Sequence, residues 1–478
     1  MLPAIFILSA VVVLLAVILI RTALFVPHDE PRSAPDPVEF DRDAAVSALR
    51  ELIRCRTVSR YDPALEDDAE FERLIALLPE LYPHVSESCT FTRLPDRALL
   101  FHWKGKHPDE PSVMMAHYDV VPVNEDGWEV PPFDGIIRDG VLWGRGTLDT
   151  KVTFNGVLSA ADALIVSGFV PAHDMYFAFS GGEEVNGMGA VNIVNWFKEH
   201  GIKPALVVDE GGAVVENVFP GVKKPCGLIG IAEKGMLNCT FTVKSGGGHA
   251  SAPAPHTPIG ELSRACCAIE NHPFPMHLTT PAAAMFDTLG RHSTFLYRMI
   301  FANLWLFSGV LNLLAKKSGG EMNALLRTTV AFTQASGSAA PNVIPPEASM
   351  TANLRLNPAD SVEGAMEYLR KTADNGKITL TAGVSMEPSP VSEIACPAWD
   401  KVAAAVADTW QGCIVSPYLM VQCSDSRHYR DLSDHVYRFS AMALTKEERA
   451  SIHGHNEKIR LENIGKAVEF YIRLMKLC

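Results

Sequence analysis

The sequence lacks several features that mark large classes of proteins. It has no surplus of positive charge, since 42 Lys and Arg stand against 55 Asp and Glu for a formal net charge of -13. This argues against a nucleic-acid partner, which would need a basic face. The ten cysteines form no CxxC pair and no evenly spaced framework, so we interpret most of them as buried thiols. The sequence has no HExxH and no GxSxG motif, which removes the templates of single-zinc proteases and serine hydrolases.

The remaining composition is that of an ordinary globular protein. At 478 residues the chain is too long for one typical core, so we expect two domains, with three possible. Its 47% apolar and 20% charged residues exclude disorder as the main state. No internal repeat and no long low-complexity tract is present.

One long apolar run stands at the N-terminus. Leu2–Ile20 contains Ser9 as its only polar residue, and such a run can cross a hydrocarbon core of about 30 Å. A cleaved secretory signal is the alternative, but no Lys or Arg precedes the run and a good cleavage site is missing. We therefore expect residues 1–26 to form a single-pass membrane anchor, residues 27–40 a Pro-rich tether, and the remainder to lie on the non-cytoplasmic side.

The apolar pattern changes twice along the rest of the chain. Over residues 41–230, short apolar strands alternate with helices, which predicts a mainly parallel sheet with helices on both faces. Residues 231–388 have antiparallel α+β character and include an apolar helical stretch at 285–316. The alternation of short apolar strands with helices returns over residues 389–478. We therefore predict an α/β domain that is interrupted by an inserted α+β domain.

Acids and histidines follow the ends of the predicted strands. Open α/β sheets build their sites at such ends, and carboxylates with imidazole but no cysteine suit zinc-like or manganese-like ions. Each residue alone has a plainer interpretation, such as a helix N-cap for Asp149 or an exposed acidic turn for Glu183 and Glu184. Together they predict a metallohydrolase site, and its candidate residues are His117, Asp119, Asp149, Glu183, Glu184, Asp209 and His453.

These segments resemble the M20 metallopeptidases, and most closely the branch of carboxypeptidase S and the N-acyl-amino-acid hydrolases. The resemblance spans about residues 40–475. It implies two divalent metal ions, usually zinc. It further implies that His117 and Asp209 bind one ion, that Glu184 and His453 bind the other, and that Asp149 bridges them.

The same resemblance implies roles for other residues. Glu183 would be the general base, Asp119 would orient His117, and a cis peptide would follow Asp149. The insertion at 231–388 would be a lid and dimerisation domain, so a homodimer is possible. Four further residues match positions of the family that contact the substrate, namely His249, Asn342, Arg355 and Arg427.

Two substrate classes follow from this resemblance. We expect hydrolysis of short peptides next to a free C-terminal carboxylate, with Arg355 or Arg427 holding that carboxylate through its planar guanidinium. The alternative is an N-acyl-amino-acid amidohydrolase that uses the same site. Apolar surface from the 285–316 stretch near the cleft would favour fatty acyl chains, and a narrow polar pocket would favour dipeptides. A membrane-anchored binding protein on an inactive hydrolase fold is a more distant alternative.

Overall fold

The computed structural model describes residues 2–27 and 33–478. Residues 28–32 of the predicted tether lie outside the described residues. The helices are α1 (Leu2–Leu24), α2 (Arg42–Arg54), α3 (Asp68–Leu81), α4 (Pro83–Ser88), α5 (Lys151–Val166), α6 (Gly189–Glu199), α7 (Pro258–Asn271), α8 (Thr280–His292), α9 (Phe295–Ala302), α10 (Leu304–Ser318), α11 (Gly320–Leu326), α12 (Val362–Ala373), α13 (Pro397–Thr409), α14 (Lys446–Ser451) and α15 (Leu461–Leu477).

The strands divide among a large sheet, a four-stranded sheet and small ribbons. They are β1 (Thr90–Leu94), β2 (Ala98–Trp103), β3 (His107–His117), β4 (Ile136–Arg138), β5 (Val141–Trp143), β6 (His173–Ser180), β7 (Leu206–Val215), β8 (Cys226–Glu233), β9 (Gly235–Lys244), β10 (Gly248–His249), β11 (Thr329–Ser336), β12 (Val343–Ile344), β13 (Glu347–Leu356), β14 (Ile378–Met386), β15 (Ile414–Met420), β16 (Val436–Leu444) and β17 (Lys458–Arg460).

The large sheet confirms the predicted α/β architecture. Its strand order is β1-β2-β6-β3-β7-β16-β8-β15, and the pairs β3–β6, β3–β7, β7–β16 and β8–β15 are parallel. Side chains alternate between the two faces of a strand. Leu99 and Phe101 of β2 therefore join the core with α2, α5 and α15, while Ala98 and Leu100 join the core with α6. Helices cover both faces, as expected.

A separate antiparallel sheet forms the inserted lid. Its order is β11-β13-β9-β14, and β9 pairs with β13 along its whole length, from Gly235 opposite Leu356 to Lys244 opposite Glu347. Helices α7 and α12 pack on this sheet and share a core with it that is distinct from that of the large sheet. This part agrees with the predicted α+β insertion.

The structure divides the predicted 231–388 domain differently from the sequence analysis. Strand β8 continues in the large sheet to Glu233, so the insertion begins after that residue. Helices α8 to α11 also leave the lid and join the core of the large sheet through residues such as Met285, Phe286 and Leu326. Strand β15 is an edge of that sheet, and α8 lies against it. Covering an exposed edge with an apolar helix protects its unpaired backbone groups.

Helix α1 is long and apolar enough to cross a membrane over Pro3–Leu24. This finding rests on length and composition alone, and a signal sequence would meet the same criterion. The apolar side chains of α1 are mostly exposed, apart from Ile18 near its C-terminal end.

Candidate active site and metal centre

Asp149 lies between two histidines that come from distant parts of the chain. His117 ends β3, Asp149 precedes α5, and His453 follows α14. One carboxylate oxygen of Asp149, Oδ1, is 3.0 Å from Nε2 of His117, and the other, Oδ2, is 2.9 Å from Nε2 of His453. The Asp149–Thr150 peptide bond is cis, as the resemblance implied. A carboxylate with one oxygen toward each imidazole has the arrangement that a ligand bridging two cations requires.

Each histidine also has a carboxylate neighbour of its own. Glu184 Oε2 is 3.2 Å from His453 Nε2, and Glu210 Oε1 is 3.3 Å from His117 Nε2. Two sets of three potential ligand atoms occur in this cluster, each with its atoms within 4.8 Å of one another, and both include His117. The first adds Asp149 and Glu184, and the second adds Glu183 and Glu210. The predicted residues therefore meet at one end of the large sheet, with one exchange.

That exchange concerns Asp209 and Glu210, which are adjacent on β7. Because side chains alternate along a strand, only one of the two can face His117. Glu210 does so, whereas the Asp209 carboxylate accepts the backbone N–H groups of Glu210 at 2.9 Å and Ser426 at 2.8 Å. In this structure Glu210, and not Asp209, therefore lies beside His117, while the ligand role of Asp209 stays a prediction.

Asp119 holds both sides of the cluster in place. Its Oδ1 is 3.3 Å from His117 Nδ1, so it can orient that ring as expected. Its two carboxylate oxygens also accept the backbone N–H groups of Glu183 and Glu184, each at 3.2 Å. Asp119 is fully buried. One carboxylate therefore couples the position of the imidazole to the position of the predicted general base.

Burial shapes the electrostatics of the cluster. It raises the pKa of Glu183 well above its usual range and the pKa of Glu210 to about 8. Burial would also raise the pKa of Asp149, but hydrogen bonds with His117 and His453 outweigh it and hold that pKa below the usual range. The hydrogen bonds with Asp149 and Glu184 raise the pKa of His453 to about 10. Without cations, the protein retains protons here to balance its crowded carboxylates.

The donor set fits divalent cations. Within the described part of the chain, the buried Glu184 Oε1 has no hydrogen-bond partner, which is costly for a carboxylate oxygen unless it binds a cation. Imidazole nitrogens and carboxylate oxygens are ligands for zinc and manganese. The structure therefore contains a candidate metal site, formed by His117, Asp149, Glu184, Glu210 and His453, with Glu183 beside it.

Glu457 is a supporting residue whose role the sequence did not reveal. Its carboxylate is fully buried and accepts the backbone N–H groups of Gly146 at 3.1 Å and Leu148 at 2.7 Å. It also lies 2.6 Å from Nη1 of Arg145, whose other nitrogen donates to the carbonyl of Gly454. Glu457 thereby joins the loop before Asp149 to the loop that carries His453. The available signal was an acid four residues after a candidate histidine.

A cavity of about 670 Å³ opens from the acidic cluster. Asp149, Glu183, Glu184, Glu210 and His453 line one end of it. Most of the remaining wall is apolar and includes Val215, Val218, Leu228, Met285, Met322, Leu325, Tyr418, Met420, Val421, Met442, Leu444 and Ile452. Met285 lies within the 285–316 stretch, and Met322 and Leu325 follow it closely on α11. The chemistry of this wall suits an apolar chain.

The four predicted substrate contacts fall into two pairs, and none of them lines this cavity. On the lid, His249 pairs with Val343, and the backbone next to it bonds to Asn342, so the two predicted residues are exposed neighbours. Arg427 is buried, with Nη1 3.8 Å from Glu183 Oε1 and Nη2 donating to Asn186. Arg355 bonds to Cys423, near Arg427 in sequence. The two arginines therefore lie near the metal cluster, whereas His249 and Asn342 lie on the lid and contact other lid residues.

Comparisons with known proteins find similar hydrolases. The chain is 35% identical to the N-fatty-acyl-amino acid synthase/hydrolase PM20D1 of Xenopus tropicalis, over 98% of this chain and 93% of that protein. It is 32% identical to probable carboxypeptidase S-like 2 of Dictyostelium discoideum, over 87% of this chain and 80% of that protein. The M20 family metallo-carboxypeptidase Sso-CP2 of Sulfolobus solfataricus shares the fold with a TM-score of 0.66 at 17% identity, over 91% and 98% of the two chains.

The family assignment rests on a match that covers most of the chain. Residues 113–477 match the sequence profile of peptidase family M20/M25/M40. This range contains all the residues of the cluster, from His117 to His453. The resemblance drawn from the strand-end residues is therefore confirmed. The chain belongs to peptidase family M20/M25/M40 and is a hydrolase that acts on amide bonds.

Proposed function

We propose that this protein is a two-metal amidohydrolase that cleaves N-acyl amino acids with long apolar acyl chains. The observation that carries the proposal is the apolar cavity that leads away from Glu183 and the metal cluster. A dipeptide would leave most of this wall uncovered, while an acyl chain would bury it at a gain of about 0.8 kcal/mol per methylene. The relatives named as N-fatty-acyl-amino acid synthase/hydrolases support the same choice.

The chemistry follows from the positions of the side chains. Two divalent ions, with zinc as our choice, would polarise the amide carbonyl and lower the pKa of water. The Glu183 carboxylate takes one proton from the attacking water while the oxygen of that water bonds to the carbonyl carbon. When the carbon–nitrogen bond breaks, Glu183 passes that proton to the leaving nitrogen. The products are a fatty acid and a free amino acid.

Arg427 provides the means to recognise the amino-acid end of the substrate. Its guanidinium is buried and lies 3.8 Å from the carboxylate of Glu183. A planar guanidinium binds a carboxylate in bidentate fashion. We propose that Arg427 holds the substrate carboxylate, with Arg355 as its neighbour. His249 and Asn342 would then contact the substrate only after the lid moves or from a second copy of the chain.

Cleavage of short peptides next to a free carboxylate is the second candidate function. It is favoured by the relative named as a probable carboxypeptidase and uses the same Arg427 and Glu183. The two candidates differ only in what occupies the apolar cavity.

The deciding experiment measures hydrolysis and metal content on one preparation of the full chain in detergent. The substrates are a series of N-acyl amino acids of increasing acyl length and matched dipeptides, each with and without a chelator. We expect kcat/KM to rise by about threefold to fourfold per methylene until the cavity is filled, and the chelator to abolish it. Equal or better cleavage of the dipeptides would select the peptidase function instead.

We also propose that α1 stays in the mature protein as a membrane anchor. Support comes from the mostly exposed apolar surface of Pro3–Leu24 and from the contacts of its C-terminal end with α9. The intact mass of the protein isolated from membranes tests this, because cleavage after α1 would remove the mass of the helix.

A further inference from the structure

Helices α9 and α10 expose apolar side chains on a surface that ordinary soluble helices make polar. Five large apolar residues are more than half exposed, and they are Phe295, Leu296, Trp305, Leu313 and Leu314. From Phe295 to Ala315 the sequence contains one charged residue, Arg298. Large apolar side chains exposed together on two consecutive helices mark a site that contacts a protein or a membrane.

The apolar surface lies directly beside α1. Helices α9 and α10 meet at a bend of 112° at Asn303. The buried side-chain amide of Asn303 donates to the carbonyl of Ile18 and to the hydroxyl of Thr22 in α1, both at 3.3 Å. Arg21 donates two hydrogen bonds to the carbonyl of Ala302, at 3.0 and 3.1 Å. The C-terminal end of α1 is therefore docked on the bend rather than joined to it only by a flexible tether.

We propose that α9 and α10 lie in the surface layer of the same lipid bilayer that α1 crosses. A bilayer is the occupant that the contacts favour, because α1 brings its own exposed apolar surface to the bend. Trp305 stands on the exposed side of α10, and tryptophan is enriched at the boundary between lipid and water. Lys316 and Lys317 are exposed at the end of α10, where their ammonium groups can reach the lipid headgroups.

This placement has a consequence for the substrate. Helices α8 and α11, which flank α9 and α10 in the chain, supply Met285, Met322 and Leu325 to the apolar cavity. A long-chain N-acyl amino acid dissolved in the bilayer would then reach the cavity along this part of the protein. The consequence rests on the proposed amidohydrolase function, whereas the membrane placement rests on the proposed anchor α1 and not on the substrate.

The exposed tryptophan provides a direct test of the placement. Of the seven tryptophans, all in the described part of the chain, Trp305 is the exposed one. The full chain, with α1 verified by intact mass, is reconstituted into phosphatidylcholine vesicles with or without brominated acyl chains. The emission of Trp305 is obtained by subtracting the fluorescence emission of the Trp305→Phe protein from that of the wild-type protein. We expect brominated lipid to quench this difference signal strongly.

A matched control uses an exposed aliphatic residue of the lid sheet. Val384→Trp in the Trp305→Phe background adds a tryptophan on β14, where we expect no quenching. Equal emission of Trp305 with and without bromine would overturn the placement, as would loss of α1 from the isolated protein. An unquenched Trp305 together with two chains per lipid nanodisc would assign the surface to a second copy.

A pair of surface variants tests the consequence for the substrate. Leu313→Asn with Leu314→Asn removes exposed apolar surface far in sequence from the cluster residues. We expect unchanged hydrolysis of a short-chain substrate in solution and a loss of activity toward a long-chain substrate held in vesicles. Equal activity of wild type and variant on vesicles would refute the route through the bilayer. If the wild type hydrolyses no N-acyl amino acid even in detergent, the proposed function fails while the quenching result stands.

Discussion

The role of each residue in this site depends on which of its atoms faces which neighbouring side chain. Asp149 faces His117 with one oxygen and His453 with the other, and Asp119 contacts both His117 and the turn of Glu183 and Glu184. These residues stand at or beyond the ends of strands, so their identities were readable from the sequence. Their individual directions were not, because a change of one position along a strand reverses the face.

Replacing Glu183 by Gln tests the assignment of the general base. The amide keeps the shape of the side chain but cannot accept the proton of water, so we expect kcat to fall roughly a hundredfold to ten-thousandfold. The metal content should stay near that of the wild type. Glu199→Gln, at an exposed position of α6, is the control. Full turnover by the Glu183 variant would disprove the assignment.

Two neighbouring variants distinguish the ligand on β7. Glu210→Gln removes a carboxylate that lies 3.3 Å from His117, so we expect a loss of bound metal and of activity. Asp209→Asn should keep its metal but lose stability by about 1–3 kcal/mol, because one of two backbone N–H groups loses its acceptor. Metal analysis and urea unfolding of both proteins give the answer. Loss of metal in Asp209→Asn alone would restore the assignment drawn from the sequence.

The raised pKa values predict how pH affects the metal-free protein. Burial raises the pKa of Glu210 from 4.5 to about 8, and hydrogen bonds with Asp149 and Glu184 raise the pKa of His453 from 6.5 to about 10. In both cases the folded state retains a proton that the unfolded state releases, so the stability of the metal-free protein falls as pH rises through these windows.

Thermal unfolding with a chelator checks this expectation. The Tm of the metal-free protein should be lower at about pH 8 than at about pH 5, and added zinc should restore more stability at the higher pH because it replaces the protons. The Glu210→Gln protein should show a smaller fall. A Tm of the chelated wild type that does not change over this range would contradict the assigned shifts.

At the scale of elements, the site depends on the turns that join strands to helices. Loop 144–149 leads from β5 to α5 and holds Asp149, and loop 452–457 leads from α14 to β17 and holds His453. Glu457 connects the two loops through backbone N–H groups and Arg145. The distance between Asp149 and His453 therefore depends on one buried acid outside the ligand set.

Glu457→Gln tests that connection. The variant leaves the buried guanidinium of Arg145 without its anion, so we expect a loss of about 3–5 kcal/mol in the free energy of unfolding. Metal binding should weaken as well, since the Asp149 loop loses its support. Urea unfolding of the metal-loaded protein measures the first effect, with the exposed Glu462→Gln as control. An unchanged free energy would show that the loops hold their positions without Glu457.

At the scale of the whole molecule, the 280–326 segment determines how the parts are assembled. It lies in sequence inside the insertion, yet its helices share the core of the large sheet, line the apolar cavity and contact α1. The large sheet and the predicted anchor are thus linked through one apolar segment.

Filling the cavity tests the importance of this assembly for substrate choice. Met322→Trp adds bulk to the apolar wall contributed by α11, so we expect kcat/KM for long acyl chains to fall by about tenfold, with little change for short ones. Met350→Trp, on the lid strand β13, is the matched control. A uniform loss for all chain lengths would show that the wall does not contact the acyl chain.

Much of the fold and site could be predicted from the sequence because the signals are local. Apolar period and strand-end chemistry predicted the α/β sheet, the antiparallel insertion, the apolar N-terminal helix and six of the seven clustered side chains. The seventh, Glu210, was not predicted to lie beside His117, and the ligand role predicted for its neighbour Asp209 stays a prediction. The supporting role of Glu457 was also missed, since its partners lie more than 300 residues away in the chain.

The sequence by itself determined which residue types stand at the strand ends and therefore which chemistry is available. Only the tertiary structure decided that Glu210 rather than Asp209 faces His117 and that Glu457 joins two loops. It also decided that α8 lies against the edge strand β15 and that α8 to α11 join the core of the large sheet. The period of apolar residues along a segment reflects which side of the helix or strand is buried. The identity of the partner that buries it depends on packing between segments distant in sequence, which no local pattern records.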